Sequence, residues 1–304
     1  MLTLQEIIEQ ESFDNLELLA SQVVEGFITG LHKSPYHGFS VEFVEHRMYN
    51  VGESKKHIDW KLYAKTDKLF IKKYEEETNL RCHILIDTSS SMYFPNDDFN
   101  KLKFSVFSAA AIIRLLKKQR DASGISLFSN QIDRHTKSKL NISHQKMLFS
   151  ELENLLHQKR KINKPSSSTA DILHNLAEQI HQRSLVILFS DMFSQDEPEE
   201  LFSALQHFRF KKHELIVFHV TDPQKEKELE FNNRPHRFVD LETGETVKLN
   251  PAHIRDDYQL QMSSFYKNLK LKCSQYRIDF VEVDINQPFA EVLTAFLIKR
   301  QRLY

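Results

Sequence analysis

From residue 81 onward, short apolar runs without alternation recur between longer stretches whose apolar positions fall every three or four residues. An unbroken apolar run of five or six residues is the signature of a strand covered on both faces, and the three-to-four spacing is that of an amphipathic helix. Arg81 to Ile86, Gly124 to Phe128, Leu185 to Phe189, Leu215 to Val220 and Ile278 to Val283 therefore read as strands. Between the first two lies a helix with Phe99, Leu102, Val106, Ala110, Ile113 and Leu116 inward, Asp97 and Asp98 at its start and lysines at its end. Further helices are expected over 143–158, after the Pro165-Ser166-Ser167-Ser168-Thr169 loop, over 198–209, along Ile254 to Cys273, and along Phe289 to Leu297. Gln131 to Asp133 reads as a short edge strand, and 236–249 as a hairpin turning at Thr243-Gly244-Glu245. Strands separated by crossover helices predict an α/β fold with a doubly wound, mainly parallel sheet.

Before residue 81 the pattern is different. Apolar positions from Leu16 to Leu31 predict a helix over 14–31, Phe39 to Val44 alternates as a strand would, and Leu69 to Tyr74 reads as another strand. Dense charge around the lone Trp60 suggests a small helix and β module held by ion pairs on an aromatic anchor. The expected division is an N-terminal module, residues 1–80, and a larger α/β domain, residues 81–304.

Composition narrows the partners. Forty-one Lys and Arg nearly balance 42 Asp and Glu, so no net field draws the chain to nucleic acid or an anionic membrane. Basic clusters such as Lys117-Lys118-Arg120 and Lys159-Arg160-Lys161 read as solvated helix ends. Two cysteines, Cys82 and Cys273, sit in apolar patterns and read as core residues of a reducing compartment. The N-terminus has no signal-peptide character, and the longest apolar runs are about a quarter of the roughly 20 residues a membrane helix needs. A cytoplasmic protein without a membrane span is expected.

The chemistry begins at Asp87-Thr88-Ser89-Ser90-Ser91, directly after the first buried strand. Side chains at i, i+2 and i+4 of a tight turn can converge, which offers one carboxylate and two hydroxyls to a hard cation at the strand tip. The same residue types also close Asx turns and cap helices. Two other loops expected at the same sheet edge carry matching oxygen donors: Thr169 opens a helix, and Asp191 follows the strand Leu185 to Phe189. Asp87, Ser89, Ser91, Thr169 and Asp191 would give a divalent ion five oxygens, two of them anionic. Mg2+ suits such a set best, with Mn2+ or Ca2+ also accommodated.

Asp-x-Ser-x-Ser, then a threonine 78 residues after Ser91, then an aspartate 22 residues further, resembles the metal-ion-dependent adhesion site of a von Willebrand factor A domain, a Rossmann-like fold. The resemblance implies that Asp87, Ser89 and Ser91 ligate the ion and that Thr169 and Asp191 do so directly or through water. Upstream, Arg47-x-Tyr49-x-x-Gly52-Glu53, Ile58-Asp59-Trp60, Ala64-Lys65 and Glu75-Glu76-Glu77 resemble a large bacterial family of uncharacterised proteins in which this charged module precedes such a domain. Members are typically encoded beside MoxR-type AAA+ ATPases. Glu53, Lys56 and Lys65 stand where the family usually has Asp and two arginines, and lysine lacks arginine's bidentate fork.

The resemblance implies a non-enzymatic, divalent-cation-dependent protein-binding module, adaptor to a MoxR-type ATPase, whose partner donates an acidic side chain to the ion. Two enzyme classes compete for the same turn. Asp-Thr-Ser-Ser is similar to the Asp-Thr-Gly-Ser of aspartic proteases, but that chemistry needs a second loop copy and an all-β fold. A metal-dependent hydrolase working through Asp87 and Asp191 needs a general base, and the 15 histidines show no H-E-x-x-H spacing. With six glycines and no G-x-x-x-x-G-K-[ST] loop, the chain is not itself the ATPase.

Overall fold

The structure, a computed structural model, describes residues 16–33, 46–48, 60–72, 80–96, 98–158, 168–193 and 196–302. The chain separates into two compact units, one formed by residues up to Phe27 together with Leu80 onward, the other by Ile28 to Asn79.

In the smaller unit, β1 (His46–Met48) pairs antiparallel with β2 (Phe70–Lys72), and α2 (Trp60–Thr66) lies between them in sequence. Arg47 of the upstream motif stands on β1, and Trp60, Ala64 and Lys65 on α2. Tyr49, Gly52, Glu53, Lys56, Ile58, Asp59, Glu75 to Glu77 and the expected strand Phe39 to Val44 lie outside the described residues.

Helix α1 (Leu16–Lys33) starts on the larger unit: Leu16, Leu19, Ala20, Val24 and Phe27 are buried, and the Leu16 amide donates to Glu153 Oε1 at 3.0 Å. Lys117 is ion-paired to Glu17 at 2.8 Å, so this lysine of the basic cluster is committed to α1.

The larger unit is built on six strands: β3 (Arg81–Asp87), β4 (Ala122–Phe128), β5 (Ile132–His135), β6 (Leu185–Ser190), β7 (Glu214–Thr221) and β10 (Asp279–Asp284). Their order is β10-β7-β6-β3-β4-β5, parallel throughout except for the β4–β5 pair. The sheet is doubly wound and mainly parallel, as the apolar runs predict. Every residue of β6 is buried, which is why this stretch shows no alternation.

Helices cover both faces. Residues of α5 (Thr169–Gln179), α6 (Pro198–Phe210) and α7 (Pro251–Gln275) share one core with Leu85, Val186, Leu188, Leu215 and Val217. Alternate residues, including Ile84 and Ile86, point to the opposite face. There α3 (Lys101–Lys118) packs with α4 (Ile142–His157) and α8 (Ala290–Arg302), and Phe104 stacks on Phe289 with centroids 4.8 Å apart. The hairpin of β8 (His236–Val239) and β9 (Thr246–Leu249) forms a separate two-stranded sheet.

One helix begins later than the charge pattern suggests. Asn100 caps α3 by accepting from the Lys103 amide at 2.8 Å, whereas Asp98 precedes the cap and its amide donates to Asn96 Oδ1. Asp97 lies outside the described residues. Cys82 and Cys273 are buried free thiols, as expected of core residues. No helix among the described residues is long and apolar enough to cross a membrane.

Gly124 on β4 marks a tight approach. A Cβ there would lie 2.9 Å from His83 Nδ1, 2.9 Å from Ser138 Oγ and 3.0 Å from the Ser138 amide nitrogen. The backbone contact cannot rotate away, so Gly124→Ala is expected to cost about 1–3 kcal/mol, measured by chemical denaturation.

Candidate cation site at the sheet switch point

From β3 the chain winds first toward β4 and later, through β6, toward β7 and β10. The crevice beyond the carboxyl ends of β3 and β6 is thus the point where the winding reverses, the usual ligand position of such a sheet. Asp87 ends β3, and Ser190 ends β6 with Asp191 next in the chain.

Asp87 is buried. Its Oδ1 accepts the Ser89 amide at 2.9 Å, closing an Asx turn, and its Oδ2 accepts from Ser190 Oγ at 2.7 Å. Ser91 lies on the short 3-10 turn Ser90–Tyr93, and its Oγ is 3.1 Å from Ser89 Oγ. Thr88 turns away and donates to the Phe128 carbonyl at 2.9 Å. The i, i+2, i+4 positions thus converge while the intervening threonine ties the turn to β4.

Asp191 is fully buried. Its Oδ1 accepts the Phe193 amide at 3.1 Å, and its carbonyl is bonded by His219 Nε2 at 2.9 Å. Met192, next in the chain, holds φ 56°, a left-handed conformation that a non-glycine residue keeps only when its surroundings enforce it. The Asp191 backbone is therefore pinned at this edge.

Thr169 is the first residue of α5 and half-buried. Ser168 is the cap, accepting from the Asp171 amide at 3.0 Å, so the Thr169 hydroxyl is not consumed as the helix cap. A helix leading into a parallel strand runs antiparallel to it and starts at the carboxyl edge of the sheet. The Ala170 amide confirms that placement by donating to Asp196 Oδ2, beyond β6, at 2.9 Å. The hydrogen bonds join Asp87, Ser89 and Ser91 into one cluster; Asp191 follows Asp87's partner Ser190, and Thr169 stands at the same edge without a hydrogen bond to them.

Electrostatics tie the two aspartates together. Burial first, and then the Asp191 charge, push the Asp87 carboxyl up to about 6, against the opposing hydrogen bonds from Ser190 and Ser89. Two buried carboxylates and two adjacent hydroxyls are a donor set whose chemistry would suit a hard divalent cation, since its charge would relieve that repulsion and its preference is for oxygen, although among the described residues no three His, Cys, Asp or Glu side chains group to hold one.

A lysine sits beside this set. Lys101 at the first turn of α3 is fully buried, with Nζ 2.7 Å from Asp191 Oδ2 and also bonded to Glu226 Oε1. Its Nζ lies 5.7 Å from the Phe94 ring centroid and 5.6 Å from that of Phe193. Burial alone drives the ammonium's pKa down, but the Asp191 and Glu226 carboxylates outweigh it and hold Lys101 above its ordinary value. Because Asp191 already has an internal cation on Oδ2, an ion at Asp87 would meet it through its remaining lone pairs or through water.

A fourth loop reaches the site. Glu242, at the tip of the β8–β9 hairpin, accepts the Ser91 amide on Oε1 at 2.8 Å across 151 residues of sequence. Sequence reasoning missed Ser190, Lys101, Glu226 and Glu242. Only Lys101 carried a local signal, a cation in the first turn of a helix, where the macrodipole disfavours it.

This geometry defines an α/β chain whose candidate cation site lies at the switch point of a doubly wound sheet. Residues 45–265 match the family described as "Protein of unknown function DUF58", and the chain belongs to that family. Uncharacterised proteins of Mycobacterium tuberculosis and Mycobacterium bovis are 21% identical over 209 residues, 69% of this chain and 64% of theirs. The chain thus spans less than two thirds of the length of these curated relatives. Similar solved structures include the conserved hypothetical protein BatB from Bacteroides thetaiotaomicron, with a TM-score of 0.45 and 11% identity over 74% of this chain and 100% of that one. The SpRpn10 VWA domain gives a TM-score of 0.38 and 11% identity over 71% and 94%.

Proposed function

We propose that this chain is a non-enzymatic, divalent-cation-dependent protein-binding module that serves as an adaptor for a MoxR-type AAA+ ATPase. The observation that carries the reading is the pairing of buried Asp87 and Asp191 beside the Ser89 and Ser91 hydroxyls at the switch point. Asp87, Ser89 and Ser91 would hold the ion directly, with Thr169 and Asp191 direct or water-mediated ligands; Mg2+ is the first choice. A bound ion supplies a Lewis-acidic point that accepts a partner's Asp or Glu side chain. Ser190 orients Asp87, and the Phe193 amide and Lys101 orient Asp191, so the two carboxylates are fixed before any ion arrives.

His219, the histidine bonded to the site, does not favour a hydrolase. Its Nε2 is spent on the Asp191 carbonyl, and burial drives its pKa down to about 4 despite the Asp191 charge. The ATPase partnership rests on the upstream motif around Arg47 and Trp60 and on membership of the family.

The test is calorimetric titration of Mg2+ and Mn2+ into wild type and Asp87→Ala, with folding followed by circular dichroism. Wild type binds one ion and the variant, still folded, binds none. A folded Asp87→Ala protein that keeps wild-type affinity would sink the site. Chelator-sensitive recovery of an AAA+ ATPase with the wild-type chain, lost in the variant, tests the adaptor role.

A further inference from the structure

The two edges of the large sheet are built differently. β5 is four residues long, runs antiparallel to β4 and meets it with a register shift between Leu127 and Phe128, a short irregular strand of the kind that blunts an edge. β10 keeps an unbroken parallel register with β7 from Asp279 to Asp284, and no strand among the described residues takes up its outer backbone groups.

A cavity of about 420 Å³ lies along the start of this edge, and both α7 and α8 line it. Those helices cover opposite faces of the sheet, so the cavity passes around the strand edge instead of resting on one face. An added strand would lie about 4.8 Å from β10, in the gap between the two helices, and send alternate side chains to the α7 side and the α8 side. Each side offers it an apolar wall and a cation. On the α7 side Phe280 stands with Lys270, whose only printed carboxylate, Glu282, is 3.4 Å away in an exposed pair that holds little energy. On the α8 side Val281 and the partly exposed Ile298 stand with Arg302, which has no ion pair among the described residues. Lys299, the third cation of the lining, is spent on Glu214 and Asp279 at 2.7 and 2.8 Å, and so neutralises the strand's first acid.

We propose that the outer edge of β10 accepts an extended segment of a partner protein as an added strand, one in which acidic and β-branched apolar residues alternate. Backbone bonds to β10 would place the segment, and the two walls would select its side chains. A second copy of β10 is a poor occupant: in the centred antiparallel register Asp279 faces Asp284 at both ends, and like charges directly opposite destabilise a strand pair. No residue of the cation site takes part, so the two readings fail separately.

The probe is the peptide acetyl-Val-Glu-Val-Glu-Val-Glu-amide, titrated into the 15N-labelled full chain and followed by amide chemical shifts. Shifts are expected at Asp279 to Asp284 and at the facing residues of α7 and α8. Two further peptides carry N-methyl groups on the Val or on the Glu nitrogens. A strand turns successive N–H groups to opposite sides, so one of these forms loses its bonds to β10 and the other keeps them, with midpoints expected to differ by about tenfold or more. Arg302→Glu, and a probe with Lys in place of Glu, are each expected to raise the midpoint about threefold or more. Absence of shifts in β10 up to about 5 mM probe, or equal midpoints for the two N-methylated forms, overturns the added strand. A Lys probe that binds as well as the Glu probe overturns the acidic partner.

Discussion

Lys101→Met is expected to lose about 3–5 kcal/mol of folding stability, the cost of breaking a buried ion pair by removing one partner. Lys101 and Asp191 are fully buried and the Glu226 side chain is only 11% exposed, so little solvent is at hand to replace the ammonium. Methionine fills much of the same space, so cavity formation contributes little and the loss reports the uncompensated carboxylates. Glu226 is itself anchored, with Oε2 accepting the Asp222 amide at 2.7 Å, so it cannot easily swing to water. In the double variant Lys101→Met/Glu226→Gln one charge has gone, and about 0.5–3 kcal/mol should return as coupling. Denaturant midpoints of wild type, Lys101→Met, Glu226→Gln and the double variant, taken in chelator, measure both quantities. A loss below about 1 kcal/mol in the single variant would mean that the carboxylates find water or each other's protons, and the orienting role given to Lys101 would fail.

The parallel sheet was legible because each central strand is buried on both faces and so leaves an unbroken apolar run, as Leu185 to Phe189 does. The three loops carrying Asp87, Thr169 and Asp191 were legible for a related reason: once strand polarity is known, the carboxyl edge is known. What could not be read is whatever joins elements far apart in the chain. Glu242 meets Ser91 across 151 residues, and Glu226 meets Lys101 across 125. No local pattern encodes those encounters, since a glutamate in a polar hairpin reads as solvated. The start of α3 was misjudged because Asp98 has the right chemistry for a helix start, yet Asn96 captures its amide and Asn100 takes the cap.

In the absence of a divalent ion, Asp87→Asn should be more stable than wild type at neutral pH, an effect opposite to that of most polar substitutions in a core. Asp87 in the folded chain titrates at about 6 rather than at the usual 3.8, because burial and Asp191 disfavour its charged form. The folded state therefore binds more protons than the unfolded one between those values, so Asp87 lowers stability progressively as pH rises from about 4 to 6 and the full penalty persists above. Converted at about 1.4 kcal/mol per tenfold change, the gap is worth about 3 kcal/mol. Asparagine removes the charge and keeps an oxygen for Ser190 Oγ, but its other face can lose the Ser89 amide, which returns about 1 kcal/mol. A net gain of about 1–2 kcal/mol at pH 7 remains, disappearing by pH 4. His83 and His219, buried and shifted down to about 3 and about 4, act in the opposite sense, adding stability as pH rises toward 6.5. They do so in both proteins and cancel in the difference. Saturating Mg2+ should stabilise only the wild type and reverse the ranking, because ligand stabilisation follows binding and Asp87→Asn has given up the anionic ligand. Urea melts at pH 4 and 7, with chelator and with Mg2+, test this. An Asp87→Asn protein less stable than wild type in chelator at pH 7 would mean that the aspartate pair is not strained by its own charge, removing the electrostatic reason for a cation there.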